Sequence, residues 1–135
     1  PMAQTLAKLG CEKAWVVHGA DHLDELSTTG ENTICEVSGG SVREFNLSPE
    51  EAGLPRASLA DLKGGDGTYN AERLSALLDG QQDAYRDIVL FGTGAALLIA
   101  DKAANIKEGV AMAASAIDSG KARSALEDMV KITNS

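Results

Sequence analysis

Two alternating stretches, Thr33–Val37 and Val42–Leu47, flank the tetrapeptide Ser38-Gly39-Gly40-Ser41. Alternation with period two marks a strand with unlike faces, and paired glycines accept the positive φ angles that tight primed turns require. An antiparallel hairpin is therefore the firmest local constraint on the fold. Thr33, Cys35 and Val37 share one face of its first strand, with Ile34 and Glu36 on the other, and Arg43, Phe45 and Leu47 share a face of the second. Upstream, Ala14-Trp15-Val16-Val17 is an unbroken apolar run bounded by Lys13 and His18-Gly19. Such a run is typical of a strand covered on both faces, in a parallel or mixed sheet with helices packed over it. Trp15 is expected in the core.

Helical periodicity surrounds these strands. Met2, Leu6 and Leu9 line one face of a first helix that Gly10 ends. The second half reads as helical almost throughout. Asn70 is positioned to cap a helix burying Leu74, Leu77 and Leu78, with Gly80 at its end, and another helix is expected over residues 84–102. Asn105 followed by Glu108 three residues later is a capping-box arrangement. It opens a helix burying Ile106, Val110, Ala113, Ala114 and Ile117, which Gly120 ends. A last helix carries Ala122, Leu126, Met129 and Val130. Ser48–Arg56, with Pro49, Pro55 and Gly53, and Lys63-Gly64-Gly65-Asp66-Gly67 read as irregular. The fold class is α/β: part of a mixed sheet with an antiparallel hairpin, flanked by helices, the C-terminal half mostly helical.

Residues 1–135 suit one domain. The chain carries 12 Lys+Arg against 20 Asp+Glu, a net charge of −8. Nucleic-acid binding needs clustered cations, and anionic membranes attract them, so neither partner is expected. The longest apolar run, Ile88–Ala100, is interrupted by Gly92 and Gly94 and is too short to span a bilayer. Cys11 and Cys35 read as buried free thiols rather than a disulfide scaffold. No signal-peptide pattern opens the chain, so a cytoplasmic location is expected. Pro1-Met2-Ala3 has no initiator Met and helical periodicity begins at once, so the chain is expected to be the later portion of a longer one.

Four acidic residues, Asp21, Asp24, Glu25 and Glu31, fall near one another, three of them directly after the apolar strand. In open α/β sheets the carboxyl ends of strands are where ligands bind. Adjacent carboxylates repel unless a cation or an acid–base role accounts for them, and such oxygen donors suit Mg²⁺. On spacing alone, a solvated acidic loop is the simpler reading. His18 reads as a packed, hydrogen-bonded residue and His22 as exposed. Gly92-Thr93-Gly94 and the Lys63–Gly67 segment lack the following Lys of a phosphate loop. Close helix packing or a kink accounts for the first pair of glycines and a surface turn for the second.

The order of segments goes further. Leu9-Gly10-Cys11-Glu12-Lys13-Ala14-Trp15-Val16-Val17-His18-Gly19-Ala20-Asp21, followed by Leu23-Asp24-Glu25-Leu26-Ser27, resembles the middle of the anthranilate phosphoribosyltransferase family. So do Val42-Arg43-Glu44-Phe45, Leu47-Ser48-Pro49-Glu50, Leu62-Lys63-Gly64-Gly65-Asp66, Tyr85-Arg86-Asp87-Ile88-Val89-Leu90 and Ile117-Asp118-Ser119-Gly120-Lys121-Ala122. The resemblance implies a fold shared with pyrimidine-type nucleoside phosphorylases, a small helical domain plus a larger α/β domain of which this chain is the C-terminal part. It implies transfer of phosphoribosyl from phosphoribosyl pyrophosphate (PRPP) to anthranilate in tryptophan biosynthesis, with Mg²⁺ as cofactor, by a homodimer.

In that family the Leu-Asp-Glu motif binds magnesium, which maps the metal ligands onto Asp24 and Glu25. The glycine-rich pyrophosphate loop, a Lys-His-Gly segment and the anthranilate contacts are implied upstream of Pro1, so no catalytic residue is expected within the chain, which alone is expected to be inactive. His22 stands where the family usually has Gly, and Gly92 where it usually has Asn. A related phosphorylase-like transferase and a non-catalytic structural module are the alternatives.

Overall fold

A computed structural model describes all residues from Pro1 to Ser135. The order is α1 (Met2–Lys8), β1 (Lys13–His18), β2 (Asn32–Ser38), β3 (Ser41–Leu47), α2 (Leu59–Leu62), α3 (Gly67–Leu78), α4 (Ala84–Ile99), α5 (Ile106–Asp118) and α6 (Lys121–Thr133). Short 3-10 turns occupy Ala20–His22 and Glu50–Ala52.

The hairpin forms as expected. Ser38 pairs with Ser41, and Gly39 and Gly40 have φ of 54° and 80°, the double positive of a primed two-residue turn. β1 adds to β2, giving the order β1-β2-β3 with both pairings antiparallel. The α/β class, the flanking helices and the helical second half are all present. The parallel strand that would make the sheet mixed is not among these three. The apolar run at residues 14–17 is instead explained by helices on both faces. Val17 pairs with Ile34, and Ile34 with Phe45; on this face Trp15, Val17, Ile34, Phe45 and Leu47 join a core with Phe91, Ala95, Val110, Ala113 and Ile117. Trp15 meets Phe45 edge to face at 5.4 Å. On the other face α1 lies against all three strands, with Ala3 and Val37 buried.

The helix pair α4–α5 is the centre of the helical layer. Gly94 and Gly109 abut where the helices cross: a Cβ on Gly94 would lie 2.8 Å from the Val110 nitrogen, and one on Gly109 would lie 2.9 Å from the Gly94 Cα. Close packing therefore accounts for Gly94, as expected, but not for Gly92, which is exposed with open space around it. Arg86, 3% exposed, lies in the first turn of α4 and pairs with Asp118 at the end of α5 at 2.8 Å, joining two of the segments that carried the resemblance.

Several local expectations are corrected. Asp66, not Asn70, caps α3, accepting a hydrogen bond from the Tyr69 amide. Asn70 turns back instead, accepting from the Gly65 amide and donating to the Gly65 carbonyl. α4 ends at Ile99 rather than 102. Asn105 caps α5 through the Glu108 amide, but the Glu108 carboxylate accepts from Ala104 rather than completing the box on Asn105. Leu74 is exposed, and α6 buries no residue fully: Met129 and Val130 face outward. Cys11 and Cys35 are free, as expected, but half-buried rather than buried. No helix is long and apolar enough to cross a membrane.

Candidate functional site

The acidic segment leaves the carboxyl end of β1. The Gly19 amide donates to the Leu23 carbonyl at 2.9 Å, closing a tight loop. A Cβ at Gly19 would lie 3.0 Å from the Leu23 carbonyl oxygen and collide with that of Glu25, so the chain doubles back over a position only glycine fits. Within the loop Asp21 and His22 have φ of 56° and 62°. The left-handed region favours glycine, which gives a physical reason for the Gly usual in the resembling family at position 22. Leu26 enters the core, and Ser27 and Thr28 are fully buried.

Asp24 and Glu25 thus lie between two anchored points, Leu23 and Leu26, and both are exposed. Neither carboxylate takes part in any of the molecule's six ion pairs, from Lys13–Asp101 to Arg123–Asp79. The other two acidic candidates do not join them. Glu31 accepts a hydrogen bond from the Asn46 side-chain Nδ2 at 2.8 Å, and Asp21 is exposed on the 3-10 turn. No group of three or more His, Cys, Asp or Glu is gathered for a metal ion. Two free, adjacent carboxylates on a fixed loop suit the demand of Mg²⁺, which takes one or two carboxylates and leaves its other positions to water and phosphate.

His18 is not the packed residue expected. It occupies the last pair of β1, on the face opposite Trp15 and Val17, and is exposed with its ring 5.6 Å from that of His22. His22 is exposed, as expected. The Lys63–Asp66 turn owes its glycines to packing: a Cβ on Gly64 would touch Asn70 and one on Gly65 would meet the Tyr69 ring at 2.8 Å. Beside it runs a cleft of about 490 Å³ lined by Leu23, Glu25, Lys63, Tyr85 and Ile88. Lys63 does not stand out in the sequence, because the cleft is formed between elements far apart in the chain. Asn32, whose carboxamide is buried beneath the acidic loop and bonds to Ala20 and Ser27, escapes a linear reading for the same reason.

Comparison with known proteins decides the family. The model of the glycosyl transferase family, a/b domain, matches residues 1–123. The chain belongs to this family. It is 55% identical, over 99% of its length, to an anthranilate phosphoribosyltransferase from Parvibaculum lavamentivorans. Among solved structures, anthranilate phosphoribosyltransferase from Thermus thermophilus superposes with a TM-score of 0.89 at 40% identity over 100% of the chain. The Saccharomyces cerevisiae enzyme in complex with PRPP and Mg gives 0.81 at 26% identity over 93% of the chain. The chain spans 39% of the Parvibaculum relative, 40% of the Thermus chain and 38% of the yeast chain.

Proposed function

We propose that this chain is the C-terminal part of the α/β domain of a Mg²⁺-dependent anthranilate phosphoribosyltransferase, a cytoplasmic homodimer in its complete form. The complete enzyme transfers phosphoribosyl from PRPP to anthranilate. The observation that carries this reading is 55% identity over 99% of the chain with a protein of that name. The loop geometry supports the chain's own share of the work. Asp24 and Glu25 are the residues that would hold the metal. Bound there, Mg²⁺ would neutralise the charge of pyrophosphate as it leaves. The chain's residues supply two oxygen donors on a backbone held by Gly19 at one end and by the buried Leu26-Ser27 at the other. That fixity limits the ordering cost of binding, since the loop has little conformational freedom left to lose.

In the complete enzyme, replacing Asp24 and Glu25 with Asn and Gln keeps shape and removes two charges. Turnover and half-saturating Mg²⁺ are expected to worsen by more than tenfold, a change of about 1.4 kcal/mol or more. Superimposable Mg²⁺ titrations for parent and variant would leave the pair as a solvated surface and overturn the metal assignment. Purified residues 1–135 alone are expected to show no transfer, because positioning two substrates needs contacts to both. Consumption of anthranilate by this chain alone would refute the proposed division of the site.

A further inference from the structure

We infer that Asn32 is the positioning residue of the acidic loop, a buried carboxamide that sets the backbone of Asp24 and Glu25 and through it the loop's affinity for a divalent cation. The inference rests on the metal reading above. Asn32 opens β2 with no solvent exposure, at a strand position where asparagine is disfavoured and a β-branched residue is the ordinary choice. Its hydrogen bonds explain the exception. Oδ1 accepts from the Ser27 amide at 2.7 Å and, at a longer 3.4 Å, from the Ala20 amide. Nδ2 donates to the carbonyls of Ser27 at 3.0 Å, Gly30 at 3.2 Å and Leu47 at 3.0 Å.

A carboxamide has two donor hydrogens and one acceptor oxygen with two lone pairs. All of that capacity is directed at backbone, none at another side chain, and the three carbonyls share the two hydrogens, Gly30 at the longest distance. Ala20 and Ser27 are the two ends of the segment containing Asp24 and Glu25, and one planar group holds both. Leu47 ties the same group to the end of β3. Thr or Val would fill part of the space and leave the Ser27 amide and three carbonyls to find other partners, and Asp would turn a negative charge toward those carbonyl oxygens. Outer groups that orient metal ligands commonly matter by roughly tenfold or more in metal affinity.

The test uses the complete enzyme with Mn²⁺ as a spectroscopic stand-in, read by electron paramagnetic resonance in the presence of PRPP. Asn32→Ala, with its fold verified by circular dichroism, is expected to weaken Mn²⁺ binding about tenfold and raise half-saturating Mg²⁺ in step. Its turnover at saturating Mg²⁺ should stay within a few-fold of the parent, a split that general loss of structure does not produce. Mn²⁺ affinity within twofold of the parent in folded Asn32→Ala, while Asp24→Asn/Glu25→Gln weakens it, overturns the positioning role and leaves the metal reading standing. Unchanged affinity in Asp24→Asn/Glu25→Gln overturns the metal reading instead, and this inference with it. Hydrogen exchange on the unaltered enzyme gives a measurement independent of any variant's folding. The Ser27 amide should be protected without metal, and exchange at the rate of an open loop would refute the pinning.

Discussion

Replacing Gly109 with Ala sets two opposed effects against each other at the α4–α5 crossing. Ala within a helix is favoured over Gly by about 0.5–1 kcal/mol, so on propensity alone the substitution stabilises. Against this stands the backbone of α4. The new Cβ would lie 2.9 Å from the Gly94 Cα and carbonyl carbon and closer still to its oxygen. The oxygen contact is the tightest and sets the movement: carbon and oxygen approach to about 3.3 Å, so the helices must separate by roughly 0.9 Å, and no flexible side chain can yield in their place. That gap opens between residues buried on either side of the crossing, Ala95 on α4 and Val110 and Ala113 on α5. A radial gap of about 0.5–1 Å already forfeits a quarter to a half of each contact's attraction. Overpacking of this kind costs about 1–3 kcal/mol, which exceeds the propensity gain at its midpoint, so a net loss of about 1 kcal/mol and a Tm lower by roughly 4 °C are expected.

Gly92→Ala is the matched control, on the facing helix and one residue short of the crossing glycine's neighbour Thr93. It has no neighbour within 4 Å of a built Cβ and carries no positive φ, so it should gain about 0.5–1 kcal/mol. Urea unfolding at unchanged m-value measures both shifts in midpoint. Gly109→Ala as stable as the parent would refute the close-crossing argument, whatever Gly92→Ala does.

The Arg86–Asp118 pair is unequal, with side-chain exposures of 3% and 54%. Asp118→Ala strands a buried guanidinium and should cost about 1–3 kcal/mol in urea unfolding, less than for a fully buried pair because water reaches the vacated site. Equal stability would refute a structural role for the pair. Burial, together with the neighbouring Asp83 charge, raises the Asp87 carboxyl above its ordinary 3.8. The folded state therefore holds its proton more tightly than the unfolded chain, and stability falls as pH rises from about 3.8 through the folded value. Asp87→Asn should accordingly stabilise at pH 7, with the gain disappearing in acid below that window; a gain independent of pH would sink the argument. His22→Gly relieves a left-handed φ of 62° and should stabilise by about 1 kcal/mol, less the added freedom of the unfolded chain. A lower Tm for this variant would show that the His22 ring contributes more than its backbone costs.

Local chemistry was legible where one short segment decides it. The Gly39-Gly40 turn needs only two positive φ angles, and the Asn105 cap only the amide of Glu108. Where two segments compete, sequence does not choose: Asp66 and Asn70 are both good caps, and Asp66 prevails because Asn70 is taken up bracing Gly65. Periodicity marked the apolar stripe of α6 but carries no information about what covers it, and Met129 is exposed. The same divide runs through the candidate site. Asp24 and Glu25 are singled out by family resemblance, since on spacing alone they read as a solvated acidic loop. The groups that fix them are invisible in a linear reading, because Asn32 acts on Ala20, Ser27 and Leu47 only once β2 is paired.

The acidic pair is exposed yet lies in a loop anchored by buried residues at both ends, Gly19 before it and Leu26, Ser27 and Thr28 after it, a combination a solvated loop has no need of. Solvated acidic loops ordinarily carry few constraints, since water satisfies both their carboxylates and their backbone. Here the residues immediately after the pair, Leu26, Ser27 and Thr28, are buried, and Gly19 is pressed against the Glu25 carbonyl. Two neighbouring carboxylates in a chain of net charge −8 raise the local negative potential, with no Lys or Arg paired to either. Under the metal reading proposed above, a divalent cation would offset that potential, and two protein carboxylates alone leave most of an octahedral shell to other ligands. On the proposed reading those ligands are water and the phosphates of PRPP, so the loop's geometry matters only when the substrate is present to complete it.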